Sequence, residues 1–316
     1  MVDSVLVRGM SFGMRLALAI NLSAGTFNRL PSEPTVAAIT RCLQEAGHSV
    51  EVVTCGRRDL AGVLSSLAQR TDLDAVVVGG GDGTILTAVL AGLGQAKPLG
   101  ILPLGTLNLL ARDLGLPLDP VAAAGLLAAG HPTAIDLAEV NGLPFAIWAS
   151  LGMHPWIVRR RDKLQRGGWQ KWPAFALAAL RAFRRYPRVH VTLSVNGVQK
   201  TVTTPILVIS NNAWHDQRPP LTREALDRGE LVVHVARFSS RLGLAWLALR
   251  AVLGVWHAKS LLETFKADEV RVISRKGRVM VSLDGEVTVL RSPLAFRLRP
   301  RALSVLMPAS PTLPQG

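Results

Sequence analysis

The stretch "LDAVVVGGGDGTILTAVL", residues 73–90, joins an apolar run to a helical pattern through a glycine-rich loop. A short apolar run that ends in glycine is typical of a buried strand, and the pattern after it predicts a helix. Glycines allow an anion to approach the backbone closely, and a helix N-terminus favours negative charge. The stretch therefore predicts a phosphate-binding loop, in which Asp82 can hold Mg²⁺ and Thr84 can cap the helix or touch a phosphate. The alternative is a tight turn that uses glycine for geometry alone.

A second stretch repeats this arrangement. "LPLGTLNLLARDLGLP", residues 102–117, again ends a strand with Gly-Thr and then starts a helix. Two such loops on neighbouring strands can face the same phosphate chain.

The first part of the chain alternates strand-like and helix-like segments. The strand-like runs are 15–21, 49–55, 73–79 and 98–105, and the helical patterns are 34–47, 59–70, the segment after the glycine loop to about residue 93, and 106–115. This alternation predicts parallel βαβ units.

From about residue 132 the pattern becomes antiparallel. Asn141-Gly142, Asn196-Gly197 and Asp284-Gly285 are hairpin signals, and Lys276-Gly277 is a further turn. Helical inserts are expected near 157–186 and 239–261.

The two loops, followed late in the chain by "SLDGEV" (282–287), resemble the catalytic domain of bacterial diacylglycerol kinase-like lipid kinases. Those kinases share a superfamily with NAD kinases and phosphofructokinases. The resemblance implies a three-layer, phosphofructokinase-like α/β domain with a mostly parallel sheet, followed by an all-β sandwich with helical inserts. We expect a nucleotide-binding domain at 14–132 and a lipid-substrate domain at 133–290. Residues 291–308 should return to the first domain, and 1–13 and 309–316 should be disordered.

The resemblance also implies ATP and Mg²⁺ as cofactors. Glu286 and Asp82 are the expected catalytic residues, and Asp82 is the expected metal ligand. The expected nucleotide-binding residues are Asn21, Gly25, Thr54, Gly80, Gly81, Asp82, Gly83, Thr84, Gly105, Thr106 and Asn108. "ILVISNN" (206–212) resembles a cleft strand that ends in Asn. Taken alone, "LDGE" also fits an ordinary hairpin turn.

Three segments depart from the family pattern. Leu109 replaces an Asp that helps to organise Mg²⁺, and Leu86 with Thr87 replaces an Asn-Glu pair. In "LDRGEL" (226–231), Arg228 stands where some members have a structural Mg²⁺ ligand. We therefore do not expect that second metal site.

The charge is uneven along the chain. Of a net charge of +14, residues 1–133 contribute nine Lys or Arg against ten Asp or Glu, and the remainder carries 27 against 12. Residues 157–188 hold ten basic residues, one acid, Trp169 and Trp172, and Trp156 lies directly before them. This pattern fits a solvated helical face, an anionic membrane surface or a nucleic-acid surface, but no nucleic-acid motif accompanies it. We therefore expect no nucleic-acid partner and a membrane contact through 157–188, which 237–259 can extend.

The sequence as a whole favours an ATP-dependent lipid kinase that phosphorylates a diacylglycerol-like lipid or a long-chain base. Two unpaired-looking cysteines and no apolar run of about 18 residues favour a cytoplasmic protein at the inner membrane face. The alternatives are a soluble NAD or small-molecule kinase of the same superfamily, or a non-catalytic relative that binds nucleotide and lipid. A homodimer is left open.

Overall fold

The computed structural model describes residues 13–167, 169–215, 222–236, 240 and 262–308. The expectations for residues 1–12 and 309–316 lie outside these ranges. So does the expectation for the insert near 239–261, apart from Ser240.

The first domain is a parallel α/β unit. Its strands are β1 (Arg15–Asn21), β2 (Ser49–Cys55), β3 (Ala75–Gly80) and β4 (Leu99–Pro103). Its helices are α1 (Ser32–Glu45), α2 (Leu60–Gln69), α3 (Asp82–Leu90), α4 (Leu109–Asp113) and α5 (Pro120–Ala128). The strands run parallel in the order β2-β1-β3-β4, which confirms the predicted βαβ units. Every residue of β3 is buried, because β1 and β4 flank the strand and its apolar side chains belong to the core of the first domain.

Two local predictions differ from the structure. The helix expected over 106–115 is only α4, because Asn108 takes a left-handed conformation with φ +50° directly before it. Helix α5 was not assigned from the sequence. Asp119 caps it by accepting hydrogen bonds from the backbone nitrogens of Val121 and Ala122.

The second domain is an antiparallel sandwich, as expected. Its early elements are β5 (His131–Val140), β6 (Leu143–Phe145), β7 (Trp148–Gly152), α6 (Met153–Arg166), α7 (Lys171–Arg185), β8 (Val189–Val195), β9 (Val198–Thr204) and β10 (Ile206–Asn211). The later ones are β11 (Leu231–Ala236), β12 (Leu262–Ala267), β13 (Glu269–Ser274), β14 (Arg278–Leu283), β15 (Glu286–Arg291) and β16 (Leu294–Met307). Among the described residues, one six-stranded sheet has the order β12-β11-β10-β7-β14-β15.

The second sheet continues from one domain into the other through β16. Its order is β2-β1-β3-β4-β16-β13-β8-β9, with β5 paired to β16 and β6 to β5. The first part of β16 pairs with β13, and Val305 near its end pairs in parallel with Leu99 of β4. A register shift between Arg299 and Leu303 separates the two parts, so one strand carries contacts to both domains.

The hairpin signals formed the turns they indicate. Asn141-Gly142, Asn196-Gly197 and Asp284-Gly285 have positive φ at both residues, as a type I′ turn requires. Lys276-Gly277 has a different role because β13 and β14, which it connects, belong to different sheets.

Helix α3 lies between the two hydrophobic cores. Ile85, Ala88 and Val89 pack into the core of the first domain, whereas Leu86 packs into the core of the second. The glycine loop before α3 is therefore placed at the junction of the domains.

Candidate active site

Three loops meet at the carboxyl edge of the parallel sheet, where open α/β folds usually bind ligands. The loops follow β1, β3 and β4. A Cβ atom added to Gly105 would lie 2.4 Å from Gly81 Cα, so the two glycine loops touch through their backbones. Glycine is required at this contact because a side chain would not fit between the two backbones.

The loop after β1 is tied to both neighbours. Asn21 Nδ2 donates to Thr84 Oγ1 at 2.9 Å, and Asn21 Oδ1 accepts from the Ser23 nitrogen at 3.0 Å. The Thr26 nitrogen donates to the Leu104 carbonyl at 3.0 Å. A Cβ added to Gly25 would lie 3.7 Å from Thr106 Oγ1. Asn21, Gly25, Thr84 and Thr106 are thus brought together, and Asn21 and Thr84 help to hold the loops.

Asp82 joins the second loop to the third. Its carboxylate accepts from the backbone nitrogen of Asn108 at 3.0 Å and from that of Leu109 at 2.7 Å. Asn108 closes its own turn, since its Oδ1 accepts from the Gly105 nitrogen at 2.7 Å and its Nδ2 donates to the Gly105 carbonyl at 3.1 Å. Both side chains fix the shape of the site. The positive end of the α3 dipole lies at the same junction.

Gly80 and Thr54 lie at the border of the loops. A Cβ on Gly80 would lie 2.3 Å from Thr84 Cβ, so Gly80 allows the Thr84 side chain to pack against β3. Thr54 is exposed near the end of β2 and pairs with Ile20 of β1. It is one strand away from Asn21.

Glu286 reaches this site from the second domain. Its Oε1 would lie 2.5 Å from a Cβ added to Gly83, so the carboxylate faces the first turn of α3. The side chain is exposed, yet partial burial of its carboxylate raises the pKa of Glu286, and Asp162 raises it further. Arg57 and Arg161 act in the opposite direction. The carboxylate therefore binds a proton more readily than an ordinary glutamate.

Asp284 fixes the hairpin that carries Glu286, a role that the sequence does not indicate. Its buried carboxylate accepts from the backbone nitrogens of Ala146, Ile147 and Trp148 at 2.7, 2.9 and 2.9 Å. Burial raises the pKa of Asp284 to about 6 despite these bonds. The sequence showed only the Asp-Gly turn signal, because the three partners are more than a hundred residues away.

A cavity of about 1130 Å³ lies beside Glu286, between α6 and the β14-β15 hairpin. Met280, Val287 and Val289 give it apolar lining, and Trp156, Arg159 and Lys163 line it from α6. Glu286 thus lies between the glycine loops and a large cavity.

A buried ion pair connects the domains behind the site. Arg223 Nε and Asp113 Oδ2 are 2.8 Å apart, and both side chains are almost fully buried. Arg223 Nη1 also donates to the Ala146 carbonyl at 2.7 Å. Asn211, which ends the strand assigned to the cleft, donates from Nδ2 to the carbonyls of Asp136 and Ala146. The Asn211 side chain therefore has a structural role, because it bonds to two backbone carbonyls.

The "LDRGEL" segment forms no cluster of metal ligands. Asp227 lies 3.7 Å from Arg301, and the Gly229 nitrogen donates to Asp136 Oδ2 at 2.7 Å. Across the described ranges, no three His, Cys, Asp or Glu side chains group as a metal site.

A three-loop site on a parallel α/β domain, faced by a carboxylate from a β-sandwich, defines a two-domain class of proteins. Residues 15–140 match the family described as the diacylglycerol kinase catalytic domain. Residues 152–307 match the YegS C-terminal NAD kinase beta sandwich-like domain. The chain belongs to the diacylglycerol kinase-like family that combines these two domains.

Relatives with assigned names match part of the chain. It is 41% identical over 122 residues to a "Probable lipid kinase YegS-like" protein of Pseudomonas aeruginosa. The matched segment covers 37% of this chain and 39% of that protein. It is 30% identical over 175 residues to a diacylglycerol kinase of Mycobacterium tuberculosis. That matched segment covers 52% of this chain and 54% of the relative. The chain thus spans about half the length of such relatives, or less.

The whole fold has a counterpart among solved structures. A crystal structure described as a diacylglycerol kinase from Bacillus anthracis str. Sterne superimposes with a TM-score of 0.68 at 17% identity. The match covers 94% of this chain and 97% of that chain. At this identity the likeness establishes the fold.

Proposed function

We propose that this protein is an ATP-dependent kinase that transfers the γ-phosphoryl group to a lipid hydroxyl. The observation that carries the proposal is the position of Glu286, whose carboxylate faces Gly83 of the glycine loop and also lines the large cavity. Phosphoryl transfer needs a phosphate-binding loop, an acceptor hydroxyl and a group that takes the hydroxyl proton in one place. The names of the relatives support a lipid acceptor.

ATP would bind with its phosphates at the three-loop junction. Glycine backbones and the N-terminus of α3 suit an anion. Asp82 fits a divalent cation because Mg²⁺ in nucleotide sites is usually held by one or two carboxylates together with phosphate oxygens and water. When bound, Mg²⁺ would neutralise charge on the phosphates. The hydrogen bonds from Asn108 and Leu109 would hold the Asp82 carboxylate in place for that task.

Glu286 would accept the proton of the lipid hydroxyl. A general base works best when its pKa lies near the working pH, and partial burial with the nearby Asp162 raises the pKa of Glu286 in that direction. Arg57 and Arg161 favour its charged form and would keep it ready to accept a proton. Asp284 would hold the hairpin at the correct distance from the loop.

The large cavity would receive the lipid. Met280, Val287 and Val289 offer apolar surface to an acyl chain or a long-chain base, and Glu286 is part of the same lining. Its volume of about 1130 Å³ lies slightly above the usual range of about 300–1,000 Å³ for ligand sites. The basic side chains of α6 at its rim suit the anionic surface from which a lipid would enter.

The protein would act at the inner face of the membrane. Among the described residues, no helix has both the length and the hydrophobicity to cross a bilayer. Contact through the basic stretch 157–188 would bring the cavity to its lipid.

Transfer of labelled phosphate from ATP tests this function. Purified protein is given diacylglycerol, a long-chain base, a total bacterial lipid extract or NAD, each with labelled ATP and Mg²⁺. Label that enters the lipid fraction and depends on Mg²⁺ supports the proposal. Label in NAD alone would favour the small-molecule kinase, and ATP binding without transfer to any acceptor would favour a non-catalytic relative.

A further inference from the structure

A second, smaller cavity lies between α6 and α7 and is lined almost entirely by arginine. Its volume is about 400 Å³, and its lining consists of Trp156, Arg160, Arg181, Arg184 and Arg185. No carboxylate is part of this lining. Four guanidinium groups around one space make it strongly favourable for an anion.

These guanidinium groups have no acidic partner among the described residues. Asp162 is the only acid between 157 and 188, and it pairs with Arg161 at 2.7 Å. In addition, Arg160 Nε is buried without a hydrogen-bond partner. A buried donor of a charged group normally finds an acceptor, because leaving it unpaired is costly. The missing acceptor points to a ligand.

We propose that this cavity binds the phosphate of a lipid phosphomonoester headgroup. A phosphomonoester carries a charge of about −1.5 to −2 at neutral pH and three terminal oxygens. Arginine forks bind such oxygens in pairs, which a single diester charge uses less fully. Trp169 lies just before α7 and Leu180 lies on it, and both apolar side chains are exposed. They would contact the membrane interface beside the headgroup.

The arginine cavity adjoins the proposed transfer site. Trp156, Arg160 and Arg185 line both cavities, so a phosphate held here would lie next to the space where the acceptor lipid is proposed to bind. This inference goes beyond the proposed function and does not depend on turnover. Binding can be measured without ATP, so a failure of either proposal can be recognised separately.

Vesicle binding tests the inference through headgroup selectivity. Phosphatidylcholine vesicles are prepared with phosphatidic acid or with phosphatidylserine, adjusted to equal surface charge, and binding is measured without nucleotide. The wild type should prefer phosphatidic acid by about tenfold or more, the contribution of about one charge-assisted hydrogen bond. Arg181→Gln with Arg184→Gln, which changes two arginines that line only the small cavity, should lose this preference.

The control removes the same charge outside the cavity. Arg188→Gln with Arg275→Gln should weaken binding to both vesicle types through general electrostatics and keep the preference. Arg184→Lys keeps the charge but loses the fork, so its preference should lie between that of the wild type and that of the double variant in the cavity. Circular dichroism checks that each variant is folded.

Three results would overturn the inference. The wild type could bind both vesicle types equally, or the two double variants could lose the preference to the same extent. In the third case, inorganic phosphate at low millimolar concentration would abolish the preference whereas glycerol 3-phosphate would not, and the ligand would then be free inorganic phosphate.

Discussion

Asp284 and Glu286 are two residues apart, and their different surroundings give them different roles. Asp284 is buried and bonded to three backbone nitrogens, whereas Glu286 faces the glycine loop beside a cavity. Asp82 illustrates the same principle, since the residue expected to hold a metal also joins two loops. At this scale, a side chain that positions another group can be as important as the group that would touch ATP.

Asp82→Asn should weaken ATP binding as well as turnover. An amide can keep one of the two bonds to Asn108 and Leu109, but its NH₂ group would then face the other N–H donor. A lost charged acceptor costs about 1.5–3 kcal/mol, so ATP affinity should fall by about tenfold or more. Calorimetric titration with ATP measures this. Asp119→Asn is the control, because Asp119 also accepts two backbone bonds but caps α5. Unchanged ATP affinity in Asp82→Asn would contradict the joining role.

Asp284 should give the fold a pH dependence of known sign. Its pKa is raised from 3.8 to about 6, so the folded state favours the protonated form. Ionisation of the buried carboxylate destabilises the folded state. This destabilisation is absent below about pH 4, grows as the pH rises through about 6 and then levels off. Between about pH 5 and pH 8, the unfolding free energy of the wild type minus that of Asp284→Asn should decrease by about 1 kcal/mol. Urea unfolding of both proteins at the two pH values measures this difference. A difference that increases with pH would refute the raised pKa of Asp284.

At the scale of elements, the site depends on how closely the loops after β3 and β4 approach each other. Their glycines permit a backbone contact that a side chain would block. The sequence predicted this pair of loops well, because strand, Gly-Thr and helix follow each other locally. It could not predict that Asn108 would interrupt the second helix, nor that Asp284 would bond to residues 146–148. Such contacts depend on tertiary packing, which a local pattern does not record.

Gly105→Ala should separate the two loops. The added methyl group would lie 2.4 Å from Gly81 Cα and 2.6 Å from Asn108 Oδ1, so one loop must move. We expect ATP affinity to fall by about tenfold or more, since overpacking costs about 1–3 kcal/mol. Gly62→Ala is the matched control, because its methyl group meets nothing within 4 Å and alanine favours a helix. Equal ATP affinities in the two variants would show that the loop contact is unimportant.

For the whole molecule, the decisive feature is that two domains share one sheet and one buried ion pair. Strand β16 pairs with β4 of the first domain and with β13 of the second. The resemblance implied that the end of the chain returns to the first domain, and Val305 is paired there with Leu99. The Asp113–Arg223 pair had no sequence signal, because its residues lie 110 positions apart and the 102–117 stretch that contains Asp113 indicates no partner for it.

Removal of one partner of the Asp113–Arg223 pair should destabilise the whole protein. Arg223→Met leaves Asp113 buried without its cation, and such a loss typically costs about 3–5 kcal/mol. The double variant with Asp113→Leu should recover a large part of that loss. Urea unfolding of the wild type, both single variants and the double variant gives the coupling energy. If the single variants each cost less than about 1 kcal/mol, the pair does not hold the domains together.

The central claim is that Glu286 takes the proton of the acceptor hydroxyl, and Glu286→Gln tests it most directly. Single-turnover transfer of labelled phosphate to lipid and equilibrium ATP binding are measured on the same preparation, with the surface variant Glu263→Gln as control. A general base contributes about 10²–10⁴-fold, so transfer in Glu286→Gln should fall by that factor while ATP affinity stays within about twofold. Glu263→Gln should retain both. Transfer at the wild-type rate in Glu286→Gln would contradict the account, as would a parallel collapse of ATP binding.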